Sequence, residues 1–134
     1  MQDKLEEIKL FDNFTNVISE CYRLLKKDAI IFAYDPNRSN PVMWLYRCKS
    51  SPFYSSKGVT PNEEPISKDS IISGFSNFNF NELNVFSISG VTYKYIESQY
   101  ARLLLPFYNL FELVFDMPFI RKKFGSFIIT TAKK

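Results

Sequence analysis

An α/β fold, a sheet flanked by helices, is what this sequence predicts. Apolar residues recur at three-and-four spacing in some segments and in short unbroken runs in others. The two kinds of segment alternate along the chain, as expected of a helix-covered sheet. The scale follows from 134 residues, 46% hydrophobic and 23% charged, which allow one core and leave little for a second.

The first helix is read from Phe14, Val17, Ile18, Cys21, Leu24 and Leu25, the spacing of a single buried stripe. Asp12 or Asn13 serves as its expected N-cap, and Leu5, Ile8 and Phe11 extend it upstream or form a separate turn. Ala29 to Tyr34 is an unbroken apolar run closed by Asp35-Pro36-Asn37. Such runs are strands buried on both faces, and Pro36 biases Asp35 away from helix, so the strand is expected to end there. Asn40-Pro41 opens a short helix through Arg47, with Asn40 as cap and Pro41 at the first helical position. Residues from Cys48 to Pro65 have no period and read as a long loop.

Ser67 caps the next helix, through Ile71 and Ile72, and Asn81 to Ser89 reads as a strand. Tyr100 to Phe115 is dense in Leu, Phe and Tyr. Interrupted by Pro106 and Glu112, and shorter than the roughly 20 residues a membrane span needs, it reads as a buried or interfacial helix. Gly125 to Ala132 is the last strand, rich in β-branched residues. No repeat or low-complexity tract is present.

Composition excludes several chemistries. The chain has no histidine, which removes Ser-His-Asp and Cys-His nucleophile systems, His-ligated metals and the usual neutral-pH base. Two cysteines cannot complete a Cys-only zinc site. Without a secretory signal or a cysteine framework, Cys21 and Cys48 are expected as reduced thiols in a cytoplasmic protein. A net charge of +3 is too small to argue for nucleic acid as a partner, and none is expected. The short cluster Arg121-Lys122-Lys123, like the terminal Lys133-Lys134, reads as a solvated turn or tail, with an anionic surface as the alternative.

The segment FTNVISECYRLLKKDAIIFAYDPNRSNPVMWLY (Phe14 to Tyr46) resembles class I S-adenosylmethionine-dependent methyltransferases of the ubiquinone/menaquinone-biosynthesis type. In that family a helix carrying E-x-x-R-x-L-K-x-G-G leads into the fifth strand. Here Glu20, Arg23, Leu25 and Lys26 match, while Lys27-Asp28 stand in the region of the Gly-Gly turn. PISKDSIISGFSNFNF is similar to the helix before the sixth strand, and FGSFIITTAKK to the seventh strand with its basic finish. The resemblance implies the C-terminal half of a Rossmann-like sheet, strands 5-7-6 with the last antiparallel, in a single partial domain over 1–134.

It also implies that the cofactor-binding half is missing. Glycines let backbone approach such a ligand, but the four here, at 58, 74, 90 and 125, are too dispersed to form that loop. S-adenosylmethionine is therefore the family's cofactor, and none is expected to bind this chain alone. The first strand would expose an edge along 29–34 to the missing half or to a partner chain.

Ligands of open α/β sheets bind beyond the carboxyl ends of the strands. On that ground Asp35 and Asn37 line the substrate side or simply form the turn. Arg38, Met43, Trp44 and Arg47 follow, with Trp44 and Met43 as apolar contacts or core. The loop holding Tyr54, Lys57, Asn62, Glu63 and Glu64 is a lid or a surface connector. Glu20 and Arg23 have a structural role as a helix-face pair. Leu103, Leu104, Phe107, Phe111 and Val114 are core by default, with a lipid-like substrate or a membrane surface as the alternative. Methyl transfer is promoted chiefly by alignment, so the missing histidine does not count against a methyltransferase with a small or lipid-like acceptor. The other readings are a non-catalytic module that pairs through its open edge, and a membrane-peripheral protein.

Overall fold

The computed structural model describes residues 2–56, 63–90, 94 and 102–134, with residues 2–12 described by backbone alone. In chain order the elements are α1 (Gln2–Leu24), β1 (Ile30–Pro36), α2 (Pro41–Arg47), α3 (Lys68–Ser76), β2 (Glu82–Ile88), α4 (Leu105–Phe115), α5 (Pro118–Phe124) and β3 (Phe127–Lys133). The sheet has the order β1-β3-β2, with β3 antiparallel to both neighbours. This is the α/β arrangement and strand order expected, the last strand lying central and reversed.

The helix α1 runs through Asp12 and Asn13, so neither caps it. Its inward stripe is Phe14, Ile18, Cys21, Tyr22 and Leu25, while Val17 and Leu24 face solvent. Glu20 and Arg23 pair on the exposed side, where the guanidinium holds the carboxyl below its usual range. The helix ends without glycine: Asp28 takes a φ of 65°, the left-handed conformation that a Gly-Gly turn supplies cheaply and that Asp tolerates better than most residues. Lys134 satisfies two of the end carbonyls, its Nζ donating to Tyr22 (2.6 Å) and Leu25 (2.9 Å).

The core lies between α1, α3 and one face of the sheet, with Ile18, Ile71, Phe75, Ile128 and Ala132 at its centre. Gly74 lets α1 approach α3, since a Cβ there would sit 2.9 Å from the Phe14 ring. Ile31, Leu83 and Val85 complete that face from the outer strands.

The opposite face departs from expectation. Ile30, Phe32 and Tyr34 of β1 are 65%, 64% and 46% exposed, so this strand is buried on one face only. The helices α1 and α3 both pack on its other face, the one that carries Ile31.

The strand also runs past Asp35 through Pro36. The Asn37 N–H donates to the Ser126 carbonyl (2.9 Å). By antiparallel alternation Pro36 is then a non-hydrogen-bonded position toward β3, and its missing N–H costs that ladder nothing. On its outer side, Ile66 forms a short parallel bridge at Asn37. Above that bridge, no described strand pairs with β1 on its outer edge.

Candidate functional site

The carboxyl ends of β1 and β2 and the start of β3 meet at one end of the sheet, where a polar cluster is assembled. Asn37 and Asn40 are fully buried. Asn37 donates its amide hydrogens to the carbonyls of Lys123 (2.9 Å) and Gly125 (2.6 Å) and accepts from Ser39 N–H. Asn40 caps α2 as expected, accepting from Val42 and Met43 N–H, both at 2.9 Å. Its amide donates to the Phe124 carbonyl (2.7 Å) and to Ser126 Oγ (3.2 Å). Both asparagines therefore latch the end of β1 to the α5–β3 corner.

Asp35 and Arg38 flank this latch. Asp35 is half-buried, and burial pushes its carboxyl above the ordinary range, with repulsion from Glu63 adding to the rise. Glu63 is held by Arg47 at 2.6 Å and Glu64 lies 3.8 Å from Lys49, so the end of the long loop is tied to α2. Lys57 and Asn62 of the same loop lie outside the described residues. Arg38 is half-buried and its N–H donates to the Ile66 carbonyl. Trp44 is on the exposed side of α2, opposite buried Met43, and Tyr54 is half-buried beyond the end of that helix. Asp35, Asn37 and Arg38 are thus neighbours at one strand end, and Trp44 and Tyr54 sit on the α2 side.

The Asp35 shift has a testable sign. An acid whose folded pKa is raised contributes stability that is complete below its unfolded value and lost as pH rises through the folded one. Asp35→Asn, which mimics the protonated form, is expected to melt higher than the parent at pH 7. The difference should vanish near pH 3 when the two melting curves are compared.

Glu112 was not among the residues singled out. It is 3% exposed and accepts from Ser89 Oγ (3.0 Å), Gly90 N–H (3.1 Å) and Ser126 Oγ. These bonds bolt α4 to the end of β2 and the start of β3. Its charge reaches Tyr34 and Tyr108, whose hydroxyls are pushed above the usual tyrosine range by burial first and Glu112 second. The available signal was a lone acid within the apolar Tyr100 to Phe115 run. Among the described residues no group of three His, Cys, Asp or Glu is placed to hold a metal. The buried Asn37, Asn40 and Glu112 side chains are all engaged within the protein, so the cluster holds the strand ends and the α5–β3 corner in place.

No family model matches the sequence, and no curated protein matches it. Among solved structures, the crystal structure of a SAM dependent methyltransferase from Archaeoglobus fulgidus is similar over 94% of this chain, at 14% sequence identity and a TM-score of 0.48. The chain spans about half, 52%, of the length of that structure.

Proposed function

We propose that this chain is the acceptor-side half of a class I S-adenosylmethionine-dependent methyltransferase, acting on a small or lipid-like acceptor and inactive by itself. The observation that carries the reading is the β1-β3-β2 order with β3 antiparallel to both neighbours, the 5-7-6 order implied by the resemblance of Phe14 to Tyr46. The open outer edge of β1 supports it as the place where a cofactor-holding half would join. Of the substrate-side residues read from sequence, Asp35, Arg38, Trp44 and Tyr54 are the proposed acceptor-side residues, and Asn37, fully buried with its amide bonded to Lys123 and Gly125, is left to the latch.

The described glycines do not fit a cofactor loop. A Cβ at Gly74 meets Phe14, and one at Gly125 meets Ser87 and two backbone carbonyls at 2.8–2.9 Å. Both positions are used for packing, and Gly90, with a φ of 84°, lies against the Asp116 carboxyl. Isothermal titration of the folded chain with S-adenosylmethionine is expected to give no binding. Co-expression with the coding sequence upstream of it is expected to restore binding. Micromolar affinity of this chain alone would sink the split-half reading. The open edge equally favours a non-catalytic module, the outcome if no upstream sequence restores binding and the chain captures a strand at β1.

A further inference from the structure

The helix α4 is turned inside out. Its inward stripe carries Tyr108, Asn109 and Glu112, and the residues expected as core face solvent instead. Leu103, Phe107, Leu110 and Phe111 are each at least half exposed, and Phe119, in the first turn of α5, is 92% exposed. Soluble proteins rarely leave a contiguous apolar surface of this kind uncovered. The polar stripe is held inward by the Glu112 bonds to Ser89, Gly90 and Ser126.

The charges beside this face identify what covers it. Arg121, Lys122 and Lys123 occupy the last turn of α5, all exposed. They are therefore on a helix and not on the solvated turn read from sequence. The surface charges of 102–124 are Arg102, Asp116 and these three, four cations against one carboxylate, and Asp116 is paired with Arg121 at 3.2 Å. An apolar groove on a protein partner would account for the leucines and phenylalanines but not for the cations. An anionic lipid surface accounts for both: apolar side chains enter the acyl boundary while Lys and Arg meet the headgroups. Among the described residues no helix is long and apolar enough to cross a membrane, so the contact is one of lying in the interface plane.

We infer that the α4–α5 hairpin is a docking element for anionic membrane surfaces. This goes beyond the methyltransferase reading and stands or falls without it. The test is flotation of the full chain with vesicles, in which aggregates stay at the bottom of the gradient. Phosphatidylcholine vesicles are compared with phosphatidylcholine containing about a third phosphatidylserine. The chain should float with the anionic vesicles, and Lys122→Glu/Lys123→Glu should lower the bound fraction more than about tenfold.

Phe119→Ser should lower it by roughly tenfold, and the exposure of Phe119 makes misfolding an unsuitable explanation. Phe32→Ser, on the other exposed apolar surface, should float like the parent. Failure to float, equal flotation with neutral vesicles, or an equal loss in Phe32→Ser would each overturn the inference. So would a stable dimer that no longer floats, because the second copy would then be the occupant.

Discussion

Glu112→Ala is expected to lower the unfolding free energy by about 3–5 kcal/mol, the largest effect of any single change at the polar cluster. A hydrogen bond to a charged group contributes roughly 1.5–3 kcal/mol, and Glu112 accepts three of them. Simple addition would overshoot, because the substitution also removes the desolvation cost of the carboxyl itself. What remains is the cost of leaving buried Ser126 and the Gly90 N–H short of an acceptor. Urea unfolding followed by circular dichroism measures the difference. Glu112→Gln, which keeps one acceptor oxygen and the volume, should lose less than half as much. It should also let the hydroxyls of Tyr34 and Tyr108 titrate at lower pH, since the Glu112 charge is among the causes holding them up. A spectrophotometric titration of the tyrosines reads that directly. An unchanged titration would show that burial alone sets their range.

Asn40→Ala is expected to cost about 2–4 kcal/mol. Losing the cap of α2 accounts for about 1 kcal/mol. The rest comes from the Phe124 carbonyl and the Ser126 hydroxyl, both left short of a donor within the protein. Two further substitutions separate these contributions. Asn40→Ser keeps a capping oxygen and should recover only the cap share. Asn40→Asp keeps the cap but sets a carboxylate against the Phe124 carbonyl, and should recover little or none of the loss. If Ser restores full stability in urea unfolding, the long-range bonds contribute nothing and the latch between β1 and the α5–β3 corner is not a stabilising one.

The local features of this fold were legible in the residues. Asn40-Pro41 and Ser67 announce helix starts because capping is decided within three residues of the cap. The three strands announce themselves through short apolar or β-branched runs. Less legible was anything decided by a partner far along the chain. The Asn37–Gly125 hydrogen bond spans 88 residues, and nothing near Asp35-Pro36-Asn37 distinguishes such a latch from an ordinary turn.

The same limit explains the reading of α4. Periodicity identifies an apolar stripe at Leu103, Phe107 and Phe111, but not which way it faces. That was settled by Glu112 meeting Ser89, Gly90 and Ser126, which lie 23, 22 and 14 residues away and beyond the reach of local periodicity. At the candidate site, Asp35 and Arg38 could be named from the end of an apolar strand. The nearness of Glu63 to Asp35, and its pairing with Arg47, depended on how the long loop returns.

The central position of β3 has a consequence for how the chain is made. Within the described sheet, β1 and β2 have no hydrogen-bonded neighbour except β3, which a ribosome synthesises after both. Neither strand has a neighbour within the described sheet to pair with as it emerges. Until β3 emerges their inner edges stay unpaired, and closing the sheet requires contacts of high sequence separation, which form slowly. A nascent chain in that condition is a natural client for chaperones that shield strand edges. Its described sheet closes when β3 enters between the two, rather than strand by strand.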